Sequence, residues 1–180
     1  MKFVFLSGSF HQHSRSLAIL RNVEYLFEGH EVETLSLDRL PFYSEDLNNE
    51  KPEVIKQFLS KIELADGILC CTPEYNHSVP AVLKNAIDWA SRPAFNSVLK
   101  DKPVSIITQA VSPVGGARAQ AHLKLIFDST LSKIHLCHEM MIAHVDEIFD
   151  DQMNISNQKL VDRLDRHISN FIEFTENTRL

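Results

Sequence analysis

Three polar stretches carry the residue types from which a ligand site is built. The first, Gly8-Ser9-Phe10-His11-Gln12-His13-Ser14-Arg15-Ser16, has hydroxyls at Ser9, Ser14 and Ser16 and runs into a helical pattern. Free amides and the dipole at a helix N-terminus favour an anion, and serine adds donors without bulk, so a single phosphate is the natural guest. Ser14 also suits the ordinary role of an N-cap. Neither a P-loop sequence nor the glycine fingerprint of a dinucleotide site occurs. The second stretch, Thr72-Pro73-Glu74-Tyr75-Asn76-His77-Ser78-Val79-Pro80, is stiffened by two prolines, and Asn76 and Ser78 can bond its own backbone. Outward-facing amides on a rigid loop suit a flat heteroaromatic ring, while Ser78 is also placed to cap the helix that follows. The third stretch, from Thr108 to Arg118, sets Gly115-Gly116 before a helix, which permits close approach of backbone to ligand.

The elements that must position these stretches alternate. Phe3 to Leu6 is a continuous apolar run, as in a strand buried on both faces. Ser14 to Phe27 reads as a helix and Val32 to Leu37 as a more polar edge strand. Pro52 opens a helix with Val54, Ile55, Phe58, Leu59 and Ile62 along one side. Gly67 to Cys71 is a third strand, and Val79 to Ala90 a helix at 3.6-residue spacing. Val104 to Ile107 is a fourth strand, followed by a helix from near Gly116 to about Leu131. Ile134 to Cys137 reads as a fifth strand before a closing helix that carries Leu160, Leu164, Ile168 and Phe171. Such alternation predicts an α/β fold, a doubly wound parallel sheet. A ligand then binds at the carboxyl ends of the strands, where strand order reverses. The three polar stretches follow strands one, three and four. No repeat or linker divides the chain, so residues 1–180 are read as a single domain.

Composition excludes several classes. The chain has 180 residues, 44% of them hydrophobic and 23% charged, with a formal charge of -6. That balance argues against nucleic acid as a partner. No run reaches the roughly 20 apolar residues of a membrane span, and the apolar opening stops too early for a signal peptide. Cys70, Cys71 and Cys137 form no CxxC pair; adjacent Cys70 and Cys71 in an apolar run read as buried reduced thiols, which fits the cytoplasm. The nine histidines include no HExxH spacing, and His135 and His138 are only three residues apart, so no metal site is expected.

Pro73 to Pro80, followed by Leu83-Lys84-Asn85-Ala86-Ile87-Asp88-Trp89 and Ser91-Arg92, resembles the central motif of the NADPH-dependent FMN reductases. That family includes bacterial quinone, chromate and azo-dye reductases. Gly8-Ser9 with Ser14 resembles its phosphate loop, and Gly115-Gly116-Ala117-Arg118 its second glycine segment. The likeness runs from the first strand to about residue 125. It implies a flavodoxin-like three-layer sandwich with a five-stranded sheet in the order 2-1-3-4-5, FMN as cofactor and NAD(P)H as co-substrate. It implies no catalytic side chain, since the flavin takes the hydride and hands the electrons on. By resemblance, Ser9, Phe10, His11, Gln12, His13, Ser14, Arg15 and Ser16 hold the phosphate and ribityl end. Pro73, Glu74, Tyr75, Asn76, His77 and Ser78 line the isoalloxazine, largely through backbone, and Ala110, with Gly115 behind it, meets the pyrimidine edge. His11 and Ser16 replace the family's arginine and asparagine, and Ala110 replaces a common serine. Arginine is a fixed charge and histidine is not, so FMN binding should tighten as pH falls toward about 6. The resemblance also implies a small-molecule electron acceptor and a homodimer or homotetramer. The Leu40-Pro41-Phe42-Tyr43 segment and the helix bearing Trp89 are read as interface or core. Two readings compete: an FMN electron carrier that does not use NAD(P)H, and a non-catalytic relative that has lost its flavin.

Overall fold

The computed structural model describes residues 1–178. In chain order the elements are β1 (Lys2–Ser7), α1 (Arg15–Val23), β2 (Glu31–Leu35), α2 (Glu53–Leu64), β3 (Gly67–Pro73), α3 (Ala81–Ala90), β4 (Pro103–Gln109), α4 (Ala117–Ser129), β5 (Lys133–Ile134), β6 (Met140–Ile142) and α5 (Gln158–Thr178). The sheet runs β2-β1-β3-β4-β5, with β6 also against β4 and every pair parallel. The expected order is therefore present.

Side chains on a strand alternate between faces, and that period divides the apolar residues between two cores. Val4, Leu6, Ile68, Cys70, Val104 and Ile106 point one way, under Ile55 and Ile62 of α2, Leu83 and Trp89 of α3, and Phe127 of α4. Phe3, Phe5, Leu69, Cys71 and Ile107 point the other way, against Ile19 of α1 and Ile168 and Phe171 of α5. The result is three layers, with helices on both faces. β2, at one edge, is only partly buried, as its polar sequence suggests.

Two expectations need correction. The helix expected from Ser14 to Phe27 is α-helical only to Val23. A 3₁₀ turn over Glu24–Phe27 then brings the Phe27 ring edge-on to Phe3 and Phe5, at 4.8 and 5.1 Å between centroids. The fifth strand, expected over Ile134 to Cys137, is broken. Ile134 pairs with Val104 and Met140 with Ile107, so the edge advances six residues while β4 advances three, and residues 135–139 leave the sheet. The Trp89 side chain is fully buried beneath the sheet, which is the core role of the two read for its helix. Cys70 and Cys71 are buried and unpaired, as expected. Burial pushes both thiols up, Cys71 to about 12, so neither forms a thiolate near neutral pH.

Candidate functional site

Strand order reverses at β1 and β3, and there the loops after β1, β3 and β4 converge. They enclose a cleft of about 680 Å³, within the size range of small-molecule sites. Of the residues expected at the site, Ser9, His11, His13, Arg15, Pro73, Glu74, Tyr75 and Ala110 line it; Gln109, Val111, Ser112 and Met153 line it too.

The first wall is the turn into α1. Ser14 is the N-cap: its Oγ accepts from the Leu17 amide at 3.2 Å and donates to the Ser9 carbonyl at 3.1 Å. Ser16 is buried, and its Oγ accepts from Gln109 Nε2 at 3.1 Å, tying α1 to the end of β4. These hydroxyls hold the turn rather than reach into the cleft. What the turn offers a ligand is backbone: the amides of Arg15 and Ser16, first in the helix, have no intrahelical acceptor and carry the positive end of its dipole. His11 and His13 stand beside them, and the His13 amide donates to His11 Nδ1 at 3.2 Å. Phe10 and Gln12 lie outside the lining, with Phe10 exposed.

The second wall is a closed turn. Tyr75 and Ser78 exchange backbone hydrogen bonds of 3.0 and 2.9 Å. The two residues between, Asn76 and His77, have φ of 48° and 63°, the pattern of a type I′ turn. Pro73, Glu74 and Tyr75 face the cleft, and Asn76, His77 and Ser78 form the outer side of the turn. Ser78 does not cap α3, whose N-cap is Pro80. Its hydroxyl instead meets His122 Nδ1 on α4 at 3.0 Å.

Glu74 ties this wall to α4. Its Oε2 accepts from the amides of Arg118 and Ala119 at 2.9 and 3.2 Å, while Oε1 lies 3.5 Å from His77 Nδ1 and 3.6 Å from Arg118 Nη1. Desolvation works to raise the Glu74 carboxyl, but the two amides, His77 and the Arg118 guanidinium outweigh it and hold the group below its ordinary value. Such a group adds stability above the unfolded value, about 4.3, and loses it as pH falls through the folded value. Glu74→Gln is therefore expected to cost about 1 kcal/mol at neutral pH, as loss of a charged cap does. Urea melts at pH 7 and at about pH 3 check this: the gap between variant and wild type should close in acid. A gap that persists there would show that the charge is not its cause.

The third wall follows β4. The Ala110 amide donates to the Ile142 carbonyl at 3.0 Å and its carbonyl accepts from Val145 at 3.2 Å, so β6 holds this residue and the wall continues through Val111 and Ser112. Gly115 sits behind, at φ 65°, where a Cβ would lie 3.1 Å from the backbone of Ile142 and Ala143. Met153 closes the far side. Its carbonyl accepts from Asn22 Nδ2 of α1 at 2.9 Å, and Asn22 Oδ1 accepts from the Ile155 amide at 2.8 Å. Val111 and Ser112 lie next to Ala110 in sequence and were within reach of the pattern. Met153 was not, because residues 143–157 show no periodicity.

A parallel sheet wound in the order 2-1-3-4-5, with a ligand cleft at the β1/β3 reversal, defines the flavodoxin-like class of proteins. Residues 1–147 match the NADPH-dependent FMN reductase family, and the chain belongs to it. Among its relatives, a 2-hydroxy-1,4-benzoquinone reductase of Burkholderia sp. is 39% identical over 147 residues, 82% of this chain and 78% of that one. A quinone reductase of Escherichia coli K12 is 34% identical over 148 residues, 81% and 78% of the two chains. The flavoenzyme NAD(P)H:(acceptor) oxidoreductase FerB from Paracoccus denitrificans superposes with a TM-score of 0.90 at 30% identity, covering 98% of each chain. FMN is the cofactor to which the family and its flavoenzyme neighbours point, with NAD(P)H as electron donor.

Proposed function

We propose that the cleft binds FMN and that the chain, as one domain over residues 1–180, passes two electrons from NAD(P)H to a quinone-type small-molecule acceptor. The observation that carries this reading is the convergence of three strand-end loops, one ending at the α1 N-terminus, on one cleft. FMN supplies reversible two-electron transfer; the chain supplies position and electrostatics. The Arg15 and Ser16 amides, with His11, His13 and the Arg15 side chain, hold the phosphate. The closed turn at Tyr75–Ser78 gives the ring a rigid edge, and Val111 and Ser112 face its other side. The relatives named as quinone reductases favour a quinone over an azo dye or free flavin. No helix among the described residues is long and apolar enough to cross a membrane, and the unpaired thiols support a reducing compartment, the cytoplasm. Assembly into a homodimer or homotetramer is part of the same reading, with the segment bearing exposed Phe42 as its candidate surface.

Anaerobic mixing with NADPH or NADH, followed by steady-state turnover with benzoquinones, an azo dye and free flavin, tests the reading. The visible flavin absorbance should bleach with either nucleotide alone, and benzoquinones should restore it fastest. A flavin that binds but bleaches only with a partner reductase would make the chain an electron carrier. Failure to bind FMN would overturn the site itself.

A further inference from the structure

Where residues 135–139 leave the sheet, they meet α5 over β4. Cys137 Sγ lies 3.6 Å from His135 Nδ1 and 3.3 Å from His167 Nδ1, and the three donor atoms lie within 4.8 Å of one another. We propose that His135, Cys137 and His167 form a binding site for a tetrahedral transition-metal ion of the zinc class.

Four observations support it. Metal bonds of about 2.3 Å to sulfur and about 2.05 Å to nitrogen, at the tetrahedral angle, span an S···N edge of about 3.6 Å. The two measured edges are close to that length. The second is orientation: buried Ser105, on β4, takes His167 Nε2 at 2.8 Å, and it also lies 3.1 Å from His135 Nδ1, a contact that the metal would replace. With His167 Nε2–H donating to the hydroxyl, the Nδ1 lone pair is left facing the sulfur, which is how an outer hydroxyl fixes a ligating imidazole. The third is space: a cavity of about 10 Å³, room for one water or ion, is lined by His135, Cys137, His167 and Gln120, and also by Lys124 and Glu139, which pair with each other at 2.6 Å. The fourth is an orphan: Gln120, which lines that cavity, is 3% exposed, and its Oε1 has no hydrogen-bond partner among the described residues. A carbonyl oxygen in want of a donor is the natural fourth ligand, directly or through water. Binding would release the thiol proton to solvent.

The site is separate from the cleft. Ser105 and Gln109 are four residues apart on β4, roughly 13 Å at about 3.3 Å per residue. An ion here would staple the broken edge of the sheet to α5 and leave the flavin chemistry alone.

The test uses the full-length flavoprotein stripped with a chelator, then titrated with Zn²⁺ and with Co²⁺. One ion per chain should bind, the melting temperature should rise, and Cys137 should become resistant to alkylation. Co²⁺ should give a thiolate charge-transfer band in the difference spectrum against Cys137→Ser, in which flavin bands cancel. Cys137→Ser should weaken binding at least about 100-fold, and His167→Gln likewise if it folds. Absence of stoichiometric binding, or binding unaltered in Cys137→Ser, would overturn the proposal. FMN retention and NAD(P)H bleaching, followed in parallel, keep this outcome distinct from failure of the flavin reading.

Discussion

Gly8→Ala is expected to destabilise the fold by about 2–3 kcal/mol, the upper range for overpacking, and to weaken FMN binding at least about tenfold. Gly8 follows the last residue of β1, and its amide donates to the Cys71 carbonyl of β3 at 2.9 Å. A Cβ at this position would lie 1.9 Å from Thr72 Oγ1, 2.6 Å from Thr72 Cβ and 3.2 Å from Thr72 Cα. Rotating Thr72 removes only the first clash and breaks the 3.0 Å bond from its hydroxyl to the Pro73 carbonyl. The remaining overlap involves atoms fixed to the backbone, so β1 and β3 must part at the point where two walls of the cleft depart. Stability and ligand affinity therefore fall together. Urea denaturation and quenching of flavin fluorescence measure the two effects. A double-mutant cycle with Thr72→Gly isolates the contact: the alanine should cost far less when Thr72 is absent. A Gly8→Ala protein as stable and as tightly binding as wild type would refute the need for close approach.

The same packing explains what the sequence made legible. Phe3 to Leu6, Gly67 to Cys71 and Val104 to Ile107 are covered on both faces, which demands runs that are apolar, but for Ser105, and that end abruptly where the chain meets water. Those ends fixed the three loops, and the loops fixed the cleft. The edge of the sheet was harder. Ile134-His135-Leu136-Cys137 alternates as a strand does, yet Leu136 is 85% exposed, because an edge position has one neighbour to hold it and the pattern of two cores no longer constrains it. Side-chain direction was also hidden. Serines at a helix start advertise phosphate donors, but Ser14 and Ser16 turn inward to satisfy the Ser9 carbonyl and Gln109, leaving the amides to the ligand. His167 lies 30 residues from Cys137, so a search by local spacing, such as that between His135 and His138, does not find their meeting over Ser105.

Asn85→Ala is expected to cost about 2–3 kcal/mol, the sum of lost hydrogen bonds and one orphaned amide, while leaving FMN affinity within about twofold of wild type. Asn85 and Trp89 are one turn apart on α3 and share a face. Asn85 Oδ1 accepts from the Tyr43 amide at 2.8 Å, and its Nδ2 donates to the Pro41 carbonyl at 3.0 Å. Trp89 Nε1 donates to the same carbonyl at 2.8 Å, and the Tyr43 ring stands edge-on to the indole at 5.1 Å. Tyr43 Oη in turn accepts from Arg92 Nε at 3.1 Å. Asn85, Trp89 and Arg92 of the motif that follows the second wall thus form a latch on the segment after β2, holding Leu40 in the core while Phe42 stays exposed. Asn85→Asp sharpens the test, because it keeps the acceptor for Tyr43 but sets a carboxylate against the Pro41 carbonyl. If the latch is as described, the aspartate costs at least as much as the alanine and becomes less harmful as pH falls and the carboxyl regains a donor. Denaturation curves for both variants, beside FMN titrations, decide it. A loss below about 0.5 kcal/mol for Asn85→Ala, or parallel losses of stability and flavin affinity, would place the motif's role in the cleft rather than in the scaffold.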